Sequence, residues 1–495
     1  MSKIIIQNGN MCELDIPLKY AQKLYNEFAI RHPNAFYLRT RQRGMQNWDG
    51  KIHYITKTGQ FKIGLLPKVY DMCIEMGIKP KVVDMRQPLP KVSKVVTKIG
   101  KYQLRPEQEK AVKAVINNKI GNTPFHIGVL DYTVNAGKTL IMSSLYLSYK
   151  KQLKTLLITN DSDWLNQARE EFKQYLPGED ITFVQGKVLN WSNFTIGMVQ
   201  SISRNMRFYQ KELSQIDMVL VDEADQGGSK QYQNVITRLF NTRIRIGLSG
   251  TIYMSKLAKD KVKNMNLECF FGKVIAEFKL KDSIKKGYST KTVVKMVPGK
   301  PWYGNWESDC ISYKEIYDDS ITNCYTAWLM AYNRLLWNLN QGRYPALVVC
   351  KHIAHCENLY KFFKKKLGDA YNIAYVHVNT KSKLRQQIMK DFRDGKIDIL
   401  VSTTIIARGK NFPKLRYLLN AASMDSQEKS IQFLGRLVRT DKSKKKVYLD
   451  DLHYPGNYLD RHGKHRKQYY QRQELKVILL DKLWKKHPNH SLIQS

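Results

Sequence analysis

A chain of 495 residues, 43% hydrophobic and 25% charged, carries material for about three buried cores at roughly 150 residues per domain, which excludes a small scaffold stapled by disulfides or metal. Its 82 Lys+Arg against 43 Asp+Glu leave a formal charge of +39. Such a field favours polyanions: nucleic acid first, because each neutralised phosphate releases condensed counterions, and acidic membrane second.

No apolar run approaches the roughly 20 residues needed to span a bilayer, and Met1 to Gln7 lacks the basic flank and long apolar core of a signal peptide. The sequence therefore predicts a soluble, intracellular protein with no membrane partner. The seven cysteines include no CxxC pair and read as reduced thiols. Cys350, His352, His355 and Cys356 have metal-ligand chemistry, but their spacing matches no common zinc pattern.

Residues 1–95 hold short apolar runs broken by turn signals, such as Ile4-Ile5-Ile6, Lys51 to Ile55 and Phe61 to Leu66, with a helical stretch from Leu18 to Ala29. They predict a small α+β accessory domain. Arg86 to Lys91, with two prolines, reads as a linker. Over 96–280, amphipathic helices alternate with compact strands, among them Thr155 to Ile158, Phe194 to Val199 and Met218 to Val221, the pattern of a parallel sheet flanked by helices. An irregular segment near 298–320 follows, and the alternation resumes within 281–455 at Ala346 to Cys350, Ile373 to Val378 and Ile397 to Val401. The fold class is thus α/β with two tandem parallel-sheet domains, and 456–495 reads as a basic, helix-forming tail.

Asn135-Ala136-Gly137-Lys138-Thr139 follows the apolar run Ile127 to Leu130 and precedes a helical pattern from Leu140, the strand-loop-helix context of a phosphate loop. Backbone amides would hold phosphate oxygens, Lys138 would reach the β and γ phosphates, and the Thr139 hydroxyl would ligate Mg²⁺. Tyr132 stands where such loops begin with glycine. Met218 to Val221 delivers Asp222-Glu223-Ala224-Asp225 at a strand's carboxyl end, where open α/β sheets bind ligands. Asp222 would hold Mg²⁺ through water, and Glu223 would orient or deprotonate the attacking water. Arg436 and Arg439, three apart on an expected helix, would share one face and reach a γ-phosphate as arginine fingers.

Asp222-Glu223-Ala224-Asp225, Ser249-Gly250-Thr251 and Gln432-Phe433-Leu434-Gly435-Arg436-Leu437-Val438-Arg439 resemble motifs II, III and VI of superfamily 2 helicases, a match running over residues 104–450. The resemblance implies two RecA-like domains closing around ATP with Mg²⁺. It implies ATP contacts from Arg105, Gln108 (to the adenine edge), Asn135, Ala136, Gly137, Leu140 and Gly409, catalytic help from Gln432, and coupling through Ser249, Gly250 and Thr251. Val348-Val349-Cys350-Lys351 is similar to motif IV, and Ser402-Thr403-Thr404 with Arg408-Gly409 to motif V. Gln200, Ser201, Lys351 and Thr403 are the implied nucleic-acid contacts of these domains.

Asn34-Ala35-Phe36-Tyr37, Asn47 to Ile52 and Gly64-Leu65-Leu66-Pro67 resemble the accessory domain of phage UvsW-type helicases, which implies remodelling of branched DNA in recombination, replication or repair, in the host cytoplasm. Arg39, Arg41, Arg43 and Lys51 alternate with Phe36, Tyr37 and Trp48, a mixture suited to phosphate contact and base stacking, though Trp48 fits the little domain's core equally well. Two alternatives stay open: an ATP-dependent RNA helicase, since Asp225 closes motif II as in DEAD-box proteins, and a basic nucleic-acid-binding protein with a degenerate nucleotide site. Gln432, where DEAD-box proteins begin motif VI with histidine, favours DNA.

Overall fold

The computed structural model describes residues 2–41, 44–149, 152–188, 191–252, 258–299, 312–407, 412–441 and 443–480. Arg43, Arg408, Gly409, Cys310 and most of the irregular segment near 298–320 lie outside the described residues. The chain forms two compact units, residues 1–132 with 136–278, and residues 133–135 with 279–495.

The first unit opens with a small sheet of β1 (Lys3–Ile6), β2 (Met11–Asp15), β3 (Gln60–Lys62) and β4 (Lys81–Asp84), ordered β3-β2-β1-β4. Helices α1 (Leu18–Glu27) and α2 (Ala35–Arg41) follow β2. Alternation sends Ile4, Ile6 and Cys12 inward, as a sheet with one covered face requires. What covers it is the next α/β layer, because these side chains belong to the same apolar cluster as Ile127, Val129, Val219 and Phe271. The expected division near residue 95 separates two sheets but not two cores.

That larger sheet has seven parallel strands: β5 (His126–Tyr132), β6 (Thr155–Thr159), β7 (Ile181–Val184), β8 (Phe194–Met198), β9 (Met218–Asp222), β10 (Ile244–Ser249) and β11 (Val274–Phe278). Their order is β7-β8-β6-β9-β10-β5-β11. The central strands are buried along their full length, which explains their near-continuous Val, Ile and Leu. Helices α3 (Pro106–Ile116), α4 (Lys138–Ser148), α5 (Val199–Arg204) and α6 (Ala258–Phe271) flank it.

Two features join the small sheet to the large one. At Gly64 the backbone runs so close to the carbonyls of Glu268 and Cys269 in α6 that no Cβ fits, so Gly64-Leu65-Leu66-Pro67 is a packing seam. Arg245 of β10 is fully buried and donates to Gly9 O at 2.5 Å, Asn10 Oδ1 at 2.8 Å and Phe270 O at 3.2 Å. Burial pushes this guanidinium down to about 9.

The second unit repeats the topology. Its seven parallel strands are β12 (Lys291–Pro298), β13 (Ala346–Cys350), β14 (Ile373–Val376), β15 (Ile399–Thr403), β16 (Tyr417–Asn420), β17 (Lys446–His453) and β18 (Val477–Leu479), ordered β14-β15-β13-β16-β17-β12-β18. Renumbered from one within each unit, both sheets read 3-4-2-5-6-1-7. Helices α7 (Gln427–Leu437) and α8 (Asn457–Arg472) lie in this unit.

The basic C-terminal segment holds the expected helix, α8, but its described residues pack into the unit. Within it, α8 buries Arg466 completely against the Asp451 carboxylate at 2.9 Å, and Val477 to Leu479 add the last edge strand beside β12. A guanidinium with a buried carboxylate to meet turns a basic helix into part of the core. Among the described residues no helix is long and apolar enough to cross a membrane.

Candidate active site

In the first unit, β5 ends at Tyr132 and α4 begins at Lys138, so the chain must reverse within a few residues. Asn135 at φ 63° and Gly137 at φ 72° supply left-handed backbone for that turn. Gly137 is required twice over, since a Cβ there would also collide with the Gln108 amide. The Leu140 and Ile141 amides bond Gly137 O, and the amides that open a helix have no intrahelical acceptor, so the start of α4 suits an anion.

Two ties hold this loop to the start of α3. The Gln108 amide donates to Ala136 O at 2.8 Å and its oxygen accepts the Arg105 amide at 2.9 Å. The resemblance implies an adenine contact for Gln108, yet here its side chain is buried and engaged with the loop itself. Tyr132, fully buried, donates from its hydroxyl to Glu107 O at 2.8 Å and packs against Phe278 at 6.0 Å. Its bulk in place of glycine thus anchors the loop rather than filling it.

β9 carries Asp222 to the same edge, and Lys138 Nζ lies 3.8 Å from Asp222 Oδ1. That oxygen is buried and accepts no hydrogen bond. Burial pushes the Asp222 carboxyl up, against the opposing pull of Lys138 and a backbone hydrogen bond from Glu223. A desolvated carboxylate oxygen with no donor suits a cation or its coordinated water, so the residues present fit a nucleotide with Mg²⁺, with Thr139 at the adjacent start of α4. Glu223 sits at φ 53°, a left-handed conformation costing a non-glycine residue roughly 1–2 kcal/mol. It reverses the chain between Asp222 and Asp225. Ser249 ends β10 and donates to Asp225 Oδ1 at 2.8 Å, while the Thr251 amide donates to Ser249 Oγ at 3.1 Å. The motif III residues Ser249 and Thr251 and the motif II residue Asp225 therefore form one hydrogen-bonded group, with Gly250 between them.

In the second unit α7 carries Gln432 and Arg436, but it ends at Leu437, with Val438 as its cap. Arg439 lies beyond the helix, so the expectation that Arg436 and Arg439 share a helical face fails. Thr290, distant in sequence, holds the chain past the helix end: the Val438 and Arg439 carbonyls accept its amide at 2.8 Å and its hydroxyl at 3.1 Å. Lys444 buries its ammonium and donates to Leu437 O and Leu415 O, each at 3.0 Å. It caps the motif VI helix, and burial pushes it down to about 8.

The expected nucleic-acid residues are dispersed. On α2, Phe36 and Tyr37 are 80% and 55% exposed, and Arg41 lies 5.0 Å from the Tyr37 ring. Arg39 and Lys51 are exposed; Trp48 is half-buried, donating to Lys51 O at 2.9 Å and meeting His32 edge-on at 5.7 Å. On α5, Gln200 donates to Asn160 O at 3.4 Å, and Ser201 Oγ accepts the Gly186 amide at 2.9 Å. Lys351 lies 3.9 Å from the Tyr313 ring, and Thr403 is buried at the end of β15. Of the Cys350, His352, His355 and Cys356 cluster, Cys350, His355 and Cys356 are core, with His355 Nδ1 3.2 Å from the Tyr317 hydroxyl.

Comparison with known proteins places this geometry. The family model described as helicase conserved C-terminal domain matches residues 329–441, and that described as type III restriction enzyme, res subunit, matches residues 101–254. A protein of Sulfolobus islandicus filamentous virus (isolate Iceland/Hveragerdi), named as helicase 22, is 23% identical over 385 residues, covering 71% of this chain and 64% of its own length. The chain therefore spans less than two-thirds of that relative. The DNA-bound structure of the ATP-dependent type ISP restriction-modification enzyme LlaBIII superposes with a TM-score of 0.58 at 14% identity, over 83% of this chain and 34% of that one. The crystal structure of T4 UvsW aligns over 97% of this chain and 98% of that one, with a TM-score of 0.45 and 19% identity.

Proposed function

We propose that this chain, which belongs to the superfamily 2 helicases with their two tandem RecA-like domains, is an ATP-driven DNA translocase that remodels forks or junctions in recombination, replication or repair. The observation that carries the reading is the Asp222 oxygen, buried without a hydrogen bond 3.8 Å from the Lys138 ammonium at the carboxyl edge of a parallel sheet. Such a group is costly to keep unless ligand binding uses it.

Lys138 and the loop amides around Gly137 would bind and orient the nucleotide phosphates. Thr139 and Asp222 would hold Mg²⁺, which when bound neutralises phosphate charge. Glu223 would take a proton from the attacking water. Arg436 and Arg439 are assigned to stabilising charge on the transferred phosphoryl group, with Gln432 orienting water or phosphate. The Ser249 to Asp225 hydrogen bond gives changes at the acid cluster a direct route to β10. Positive charge of +39 supplies the general attraction to nucleic acid.

The deciding assay compares ATP turnover stimulated by forked DNA, four-way junctions, plain duplex, single-stranded DNA and RNA. Forks and junctions should stimulate most. Asp222-Glu223-Ala224-Asp225 favours RNA, and stimulation by RNA alone would overturn the DNA assignment. Because residues 2–84 share a core with the first α/β layer, the accessory contacts are best tested by Phe36→Ala with Arg39→Ala and Arg41→Ala, not by deletion. These should weaken binding to branched DNA more than they lower basal turnover.

A further inference from the structure

A second cluster of aromatic and basic side chains lies in the first unit, away from α2. Between α5 and the helix Gln210–Ser214 the chain makes successive tight turns, with the Phe208 amide on Asn205 O at 2.9 Å and the Tyr209 amide on Met206 O at 3.1 Å. Tyr209 is buried: its hydroxyl accepts the Val188 amide at 2.9 Å and lies 3.2 Å from Gly186 O, and its ring packs on Trp191 at 5.0 Å. With its neighbour pegged inward, Phe208 is held outward, 60% exposed.

Around that ring lies a cavity of about 330 Å³, lined by Arg204, Arg207, Phe208 and Arg238 among others. Lys187 stands 3.9 Å from the Phe208 ring. These four cations are exposed, and among the described residues none has a carboxylate partner. Unneutralised cations around a rigid, solvent-facing ring match the two surfaces of a nucleotide, its phosphate and its base. The two sides of the cluster are tied together, since Arg204 ends α5 and the Gly186 amide bonds Ser201 Oγ of that helix at 2.9 Å, fixing the Lys187 loop to it.

We propose that this cavity is a stacking site for one base of a single nucleic-acid strand, with Phe208 as the platform and Arg204, Arg207, Arg238 and Lys187 gripping the flanking phosphates. The proposal rests on the reading of the chain as a nucleic-acid motor. An unpaired base is required because a duplex hides base faces in its own stack.

The test measures equilibrium binding of an oligothymidylate and of an abasic oligonucleotide of equal length, across a salt series, with ATP turnover alongside. Phe208→Ala should weaken oligothymidylate binding about tenfold, leave abasic binding and basal turnover unchanged, and be rescued by Phe208→Tyr. Arg204→Gln with Arg207→Gln should lower the salt slope by roughly 1.4, two single-strand phosphate contacts. Equal losses of Phe208→Ala on both oligonucleotides, or none on either, would overturn the stacking site, and a reduced salt slope without any Phe208 effect would leave only an electrostatic surface. Failure of the unaltered protein to bind any strand or to be stimulated by one would instead overturn the motor reading itself.

Discussion

The two seven-stranded sheets have one topology and opposite treatments of their carboxyl edges. In the first, the fifth strand ends at Asp222 and Glu223 turns left-handed at φ 53°, leaving a buried carboxylate oxygen without a hydrogen bond. In the second, the fifth strand ends at Asn420 and Ser423 is left-handed at φ 42°, but α8 covers this edge: Arg466 donates to Met424 O at 3.0 Å and Leu452 O at 2.9 Å, and His462 Nδ1 lies 3.3 Å from Ser423 O. The same backbone thus leaves a buried acid unsatisfied at the edge of one unit and covers the edge of the other. Topology offers the place for chemistry, and side chains decide whether it is used.

The comparison breaks most directly at the edge that holds Asp222. Lys138→Ala should reduce ATP turnover by about 10³-fold or more, while salt-sensitive DNA binding stays within about twofold; a radiolabelled or coupled ATPase assay beside anisotropy titrations checks both.

Next come the buried arginines, each attached to the sixth strand of its sheet. Arg466 meets a carboxylate, and Arg466→Met leaves the buried Asp451 without its cation, held only by the neutral donors Asn420 and Tyr470, an expected loss of about 3–5 kcal/mol by denaturant unfolding. Arg245 meets only neutral oxygens, so Arg245→Met should cost less, about 1–3 kcal/mol, and should expose the joint to the small sheet to proteolysis. Equal losses at the two sites would show that the carboxylate does not distinguish them.

Acid should separate the units further. His355 is pushed down to about 3 and His462 to about 4 by burial, and His352 is also lowered. An unfolded histidine titrates near 6.5, so between that pH and about 4 unfolding takes up protons. The histidines' contribution to stability is present above 6.5 and is lost as pH falls towards the folded values. In the first unit His126 alone among the described histidines is lowered by burial. Thermal unfolding from pH 7 to 4.5, read by a fluorophore in each unit, should show the second unit failing first, with the slope reduced in His355→Gln. The smallest effect belongs to Ser249→Ala, which removes one buried bond to Asp225. About 1 kcal/mol of coupling should disappear, seen as a modest drop in DNA-stimulated turnover with basal turnover nearly retained.

Legibility in the sequence followed locality. The central strands announced themselves because burial on both faces demands unbroken Val, Ile and Leu, and the loop at Gly137 and acids at Asp222 are each contiguous runs. The helical placement of Arg439 was misread because the chain just past Leu437 is held by Thr290, distant in sequence. Lys444 drew no notice in the sequence because the carbonyls it caps, Leu415 and Leu437, are set beside it only by folding. Gln108 similarly reveals its loop contact only in three dimensions.

By itself the sequence determined the two parallel-sheet domains and the residues that stand at the Gly137 loop and the Asp222 acid cluster, since short motifs in strand-loop-helix context are local chemistry. Only the tertiary structure decided that residues 2–84 share their core with the first sheet, that the C-terminal segment supplies an edge strand and a covering helix, and that Phe208 faces outward among exposed cations. Those outcomes depend on which charges and apolar faces meet across long stretches of chain, and burial, not pattern, sets their energies.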